Sequence, residues 1–91
     1  MNFTFLKVLY RVKPDYSEEG RMARNQGTVV LLVRVDKSGH PSGIKVSRAL
    51  GTGLDEQAVR AIRRWRFRPA TDRGKPVSME TTVEAPLRLQ P

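Results

Sequence analysis

Asp36, Ser38 and His40 bring a carboxylate, a hydroxyl and an imidazole together at alternate positions of one short stretch. These are the groups of a nucleophilic triad. A triad also needs them aligned in one hydrogen-bonded line, which a tight turn such as "KSGHPS" does not by itself provide. His40 is the single histidine, so a metal site around it would have to be completed by carboxylates, and the absence of cysteine removes thiolate sites and disulfides. "GTGLDE" (51–56) has the glycine spacing that opens a dinucleotide fingerprint, but Glu56 stands where the third glycine belongs. No catalytic constellation results. The chain is read as non-enzymatic, with no cofactor, no metal and no small-molecule ligand.

A second chemistry is carried by "LDEQAVRAIRRWRFRPA" (54–70), whose arginines crowd around the only tryptophan. Leu54, Ala58, Ala61, Ile62 and Trp65 recur at spacings of three and four, the apolar stripe of an amphipathic helix. Arg63, Arg64 and Arg66 then fall at the helix C-terminus, where positive charge complements the helix dipole. Trp65 lies on the buried stripe, and it and Phe67 are assigned to the core. Capping and solvation account for most of the cluster. Contact of Arg63, Arg64 and Arg66 with a receptor or an anionic surface stays open as the functional alternative. Nucleic acid is not the expected partner, because no exposed aromatics interleave with the basic residues.

These groups must be positioned by a small scaffold. Residues 3–12 alternate, with Leu6, Val8, Tyr10 and Val12 on one side and Phe3, Phe5, Lys7, Leu9 and Arg11 on the other, which predicts a strand. Pro14 ends it. "YSEEGRMARNQ" (16–26) predicts a short helix capped by Ser17 and closed by Gly27, weakened by Gly20 in its interior. "GTVVLLVRVD" (27–36) is apolar on both faces, which predicts a central strand covered on both sides. A turn at "KSGHPS" leads into a half-buried strand over 43–50, making a hairpin. Thr52 and Asp55 stand at capping-box spacing before the long helix. "ATDRGKPV" (70–77) reads as a polar loop turning at Arg73–Gly74, and residues 77–89 alternate as a last strand with Pro86 near its end. Proline cannot donate to a neighbouring strand, so this strand is placed at a sheet edge.

The fold class predicted is α+β: a β-β-α-β core with a three-stranded antiparallel sheet in the order second–first–third. Helices pack against it, and a short N-terminal helix and an extra N-terminal strand are added. Ninety-one residues suffice for one domain. Seventeen basic against nine acidic residues give a net charge of +8, suited to anionic partners. No stretch approaches the ~20 apolar residues of a membrane span, and the start of the chain lacks a signal-peptide cleavage site.

In family order and spacing, "PDY" (14–16), "GTVVLLVRVDKSG" (27–39), "LDEQAVRAIRRWRFRPA" (54–70) and "GKPV" (74–77) resemble the C-terminal domain of the TonB family of energy transducers. The resemblance runs from about Pro14 to Leu89. It departs at Ser17 and Gly20, where the family often carries proline and alanine. Residues 1–13 are read as an N-terminal extension and residues 14–91 as the TonB-like domain.

The resemblance implies a periplasmic domain of an inner-membrane-anchored protein. Such a domain captures the TonB box peptide of outer-membrane transporters by strand addition. An ExbB–ExbD motor, reached through an N-terminal anchor absent from this sequence, then drives uptake of siderophore-bound iron, cobalamin or similar cargo. The sequence is accordingly read as an excised domain or a standalone relative. An exposed edge strand offers unpaired backbone groups to an extended guest. The edge is assigned to Val77, Ser78, Met79, Glu80, Thr81, Thr82, Val83, Glu84 and Ala85, with Glu80 and Glu84 tuning register or charge. Residues 3–12 are expected to pair with this strand in the same or a neighbouring chain, either inhibiting it or giving a strand-exchanged homodimer. The alternative function is a structural or self-associating module that binds cell-wall polymer without receptor coupling.

Overall fold

The computed structural model describes residues 2–90. In chain order the elements are β1 (Phe3–Thr4), β2 (Lys7–Tyr10), α1 (Glu18–Met22), β3 (Gly27–Val35), β4 (Pro41–Arg48), α2 (Leu54–Arg63), β5 (Arg66–Arg68), β6 (Ala70–Asp72), β7 (Lys75–Val77) and β8 (Met79–Leu87). The class is α+β. The main sheet is antiparallel with order β4-β3-β8, while β2 pairs with β5 and β1-β6-β7 form a further small sheet. The molecule is elongated, 49 × 21 × 19 Å.

One face of the main sheet makes the core. Val29, Leu31, Val33 and Val35 of β3 are buried with Val83, Ala85 and Leu87 of β8, and Leu54, Ala58, Ile62 and Trp65 of the α2 segment pack onto them. The period-two pattern of the strands thus meets the three-and-four pattern of the helix at a single apolar layer. Val30 and Leu32 point the other way and are only half-buried. The expectation that β3 is covered on both faces is therefore corrected: the core cluster includes neither residue.

Around the start of α2 the capping differs from the box predicted. Thr52 sits in the left-handed region at φ 55°, whereas a capping threonine needs extended backbone. Gly53, at φ 76°, is the N-cap and has no side chain to cap with. Asp55 reaches back to tie the preceding turn, its Oδ1 accepting from the Leu50 N–H at 2.8 Å and its Oδ2 from the Gly51 N–H at 2.9 Å. Thr52 instead holds α1: its Oγ1 accepts from Asn25 Nδ2 at 2.9 Å, and its carbonyl accepts from Ser17 Oγ at 2.6 Å.

Ser17 also caps α1, accepting from the Gly20 N–H at 3.0 Å. Gly20 is buried, and the space a β-carbon would take there is filled by Leu54 and Ser17 atoms 2.8 Å away. The departures at these two positions are thus packed against each other. The helix ends at Met22 rather than at Gly27, with Arg24 adopting the left-handed turn at φ 53°.

Two expectations about the flanks are corrected. The segment at 70–77 is a hairpin rather than a loop: β6 and β7 pair across Arg73 and Gly74, both left-handed at φ 54° and 79°, the geometry of a two-residue primed turn. The N-terminal strand does not pair with the last strand of its own chain. Phe3 and Thr4 lie opposite Asp72 and Thr71, and Lys7, Val8 and Tyr10 opposite Arg68, Phe67 and Arg66. Leu6, Val8 and Val12 pack against the core as their alternation requires. A bulge between Val8 and Tyr10 shifts the register, and Tyr10 turns out to solvent.

Candidate peptide-binding edge

Strand β8 lies at the margin of the main sheet. Every residue from Met79 to Leu87 has a Cα partner on β3, running from Val35↔Met79 to Gly27↔Leu87. Among the described residues no strand pairs with its other side. Pro86, opposite Thr28, has no N–H, so it suits a position whose backbone faces away from β3. Alternation then assigns Glu80, Thr82 and Glu84 the same outward parity. The β3 side agrees: the carbonyls of Val30 and Arg34 accept from Ser47 and Ser42 of β4, which leaves the odd residues of β3 to face β8.

The nine residues assigned to the edge thus divide. Glu80, Thr82 and Glu84 carry outward main chain and exposed side chains. By the same alternation Met79, Thr81, Val83 and Ala85 face β3 with their main chain and send their side chains toward the core, Val83 and Ala85 being buried there. Val77 belongs to β7 instead, opposite Ala70, and Ser78 is the break between the two strands. Beyond Ala85 the strand continues to Leu87. Pro86, already visible in the sequence, is the signal that fixes the parity.

Of the three arginines, Arg66 acts on the helix end. α2 stops at Arg63, and Arg66, expected within that terminus, opens β5. Its guanidinium still returns to the carbonyls of Arg63 at 3.1 Å and Trp65 at 2.6 Å. Arg63, Arg64 and Arg66 are all exposed. Trp65 is buried, and its Nε1–H donates to the Val12 carbonyl at 2.9 Å, pinning the end of the N-terminal strand.

The Asp36, Ser38 and His40 group is a turn without triad geometry. The Asp36 carboxylate accepts from the backbone N–H of Ser38 at 2.9 Å and of His40 at 3.0 Å. The His40 N–H above all, with help from Ser38, holds the Asp36 carboxyl below its ordinary value of 3.8, against a smaller opposing effect of desolvation. A depressed folded value means the turn is stabilised above the unfolded value and loosens as pH falls through the folded one. The Ser38 and His40 amide resonances should therefore titrate together, with a midpoint below that of a free aspartate. Asp36→Asn should abolish the titration; a midpoint at or above 3.8 would contradict the assignment.

Sequence reasoning missed the turn's other role. Gly39, at φ 83°, is buried against β5, where its carbonyl accepts from the Phe67 N–H at 2.9 Å. It missed Tyr16 too, whose hydroxyl donates to the Asn25 carbonyl and so steadies the segment that holds Thr52.

Residues 12–86 match the family model described as Gram-negative bacterial TonB protein C-terminal. The chain belongs to this TonB C-terminal family. It is similar to protein tonB2 of Pseudomonas aeruginosa, 41% identical over 63 residues that make up 68% of this chain and 23% of that protein. The chain thus spans about a quarter of the length of this curated relative. It is also similar to the solution NMR structure of the Pseudomonas aeruginosa TonB CTD, with a TM-score of 0.75 and 25% identity, covering 100% of this chain and 93% of that one. Within the TonB C-terminal family match lie α1, the main sheet as far as Pro86, and the hairpin; β1 and β2 precede it. Among the described residues no helix is long and apolar enough to cross a membrane.

Proposed function

We propose that this domain captures the TonB box of outer-membrane transporters in the periplasm, as an additional antiparallel or parallel strand on the outer edge of β8. What supports this reading is the unpaired side of Met79–Leu87, joined to family membership. The outward N–H and C=O groups of Glu80, Thr82 and Glu84 are the donors and acceptors a guest would meet. Main-chain pairing reads few side chains, so one domain can serve several transporters. Several parallel hydrogen bonds loaded together carry tension when the transducer is driven by its ExbB–ExbD motor. The protein acts by binding and pulling, and it performs no chemistry on its guest.

Titrating the isotope-labelled chain with a TonB box peptide tests this. Amide shifts and new exchange protection should appear at Glu80, Thr82 and Glu84 and leave Gly43, Lys45 and Ser47 of β4 unmoved. The same peptide N-methylated at alternate residues loses the donors that face β8, and its affinity should fall at least tenfold. Equal affinity for the methylated peptide, or shifts centred on another surface, would remove the strand-addition reading.

A further inference from the structure

Where the N-terminal strand lies along β5 and β6, it builds a surface that the peptide edge does not use. Phe3, Phe5, Leu9 and Tyr10 are exposed to 40%, 71%, 63% and 55%, an unusual concentration of large apolar side chains in solvent for so small a domain. Phe3 and Phe5 share one face, in edge contact at 5.3 Å between ring centroids. Between Phe5, in the link from β1, and Leu9 of β2 stands Lys7, directly opposite Arg68, and both Lys7 and Arg68 are exposed. Like charges directly opposed across a ladder repel. Neither makes an ion pair among the described residues, where Arg21–Glu18 is the salt bridge present. Tyr10 in turn lies opposite Arg66. The carboxylate on this ribbon, Asp72, lies opposite Phe3 and next to Lys75.

We propose that this ribbon face docks on an anionic phospholipid surface, with Phe5 and Leu9 entering the acyl boundary and Lys7 and Arg68 bridged by lipid phosphates. Aromatic rings flanked by lysine and arginine are the side-chain set that settles at a membrane interface, the apolar bodies inward and the charged ends among the headgroups. Hydrocarbon receives all four exposed apolar side chains. A nucleic acid would satisfy the cations and stack on the rings, but gains nothing from Leu9. A second copy of the chain would bring another Lys7–Arg68 pair and another net charge of +8 against the first. The face is separate from β8, so lipid docking leaves the peptide edge free.

The test is co-sedimentation of the full chain with vesicles of equimolar phosphatidylglycerol and phosphatidylcholine, and with phosphatidylcholine alone, at physiological salt. The anionic vesicles should bind at least tenfold more tightly. Phe5→Ser with Leu9→Ser should weaken that binding at least tenfold. Lys7→Gln with Arg68→Gln should weaken it on the order of 25-fold, at about fivefold per basic residue. The second pair removes a like-charge opposition and leaves the backbone ladder in place, so its circular dichroism and unfolding midpoint should match the parent's, which separates lost binding from unfolding. Equal binding to neutral vesicles overturns the proposal. So does unchanged binding of either double variant, or a dimer in solution that Phe5→Ser with Leu9→Ser dissolves while vesicles stay unbound. A single-stranded oligonucleotide binding more tightly than the anionic vesicles overturns it in favour of nucleic acid.

Discussion

Gly39→Ala should cost the fold on the order of 3 kcal/mol or more, the largest loss expected from adding one methyl group. A β-carbon placed on Gly39 would stand 2.0 Å from the Phe67 carbonyl oxygen, well inside van der Waals contact. That oxygen is main chain, on a strand held on its other side by Val8, so it cannot swing away as a side-chain tip would. The φ of 83° adds the ordinary penalty of a left-handed residue, about 1 kcal/mol. To relieve the clash the β3–β4 turn would have to leave β5, giving up the Phe67 N–H bond to the Gly39 carbonyl.

Gly74→Ala separates the two contributions. Gly74 has nearly the same φ, 79°, with nothing within 4 Å of its β-carbon position. Thermal unfolding should show Gly39→Ala lowering the midpoint by roughly 12–24 °C, at about 4–8 °C per kcal/mol for a domain of this size. Gly74→Ala should lower it by about a third of that or less. Equal shifts in the two variants would mean that the contact with Phe67 carries no weight.

Trp65→Ala is the second large effect, about 3–5 kcal/mol. The ring is 6% exposed, packs on Phe67 with centroids 6.1 Å apart, and lies beneath the Arg11 guanidinium at 5.1 Å. Its indole N–H is also the donor that holds Val12, so removing it should release the N-terminal strand as well as open a cavity. Trp65→Phe keeps most of the volume and loses the donor, and should cost about 1 kcal/mol plus the smaller loss of area. Both variants lose the donor, so hydrogen exchange should speed up at Lys7, Val8 and Tyr10 in both, whereas at Leu31 and Val33 it should speed up mainly in Trp65→Ala. If those N-terminal amides keep their protection in both, the tether through Trp65 is not what holds the ribbon.

Local pattern read much of the domain correctly because each reading had a single physical cause. Leu54, Ala58, Ala61, Ile62 and Trp65 recur at the helical period, and all are buried. Val83, Ala85 and Leu87 alternate with exposed residues, and all three are buried while Glu84 and Pro86 are not. Ser17 before two glutamates caps its helix. The family motifs added what periodicity lacks, an expectation of function, because they specify several elements at once in a fixed order.

The readings that failed all required a choice between partners. Val30 and Leu32 look like core residues, but α2 can cover only one face of β3, and among the described residues no further element covers the other. Thr52 and Asp55 have the spacing of a capping box, but Asp55 found the Leu50 and Gly51 N–H groups nearer once Gly53 bent the chain. "ATDRGKPV" reads as polar loop because β6 and β7 are short and only Ala70 is buried, yet the chain closes there into a hairpin. Val77 continues the alternation of the last strand and still belongs to another sheet.

From the sequence alone came the class, the helix stripe, the three strands of the main sheet and the position of Pro86, since these depend on side-chain period and on a missing N–H. Tertiary structure decided where the N-terminal strand pairs, and hence that Phe5 and Leu9 lie beside Lys7 and Arg68 rather than against β8. Strand pairing is made by backbone groups that are nearly identical at every residue. The choice among the edges on offer falls to side-chain contacts, among them the packing of Leu6, Val8 and Val12 against the core and the bond from Trp65 to Val12.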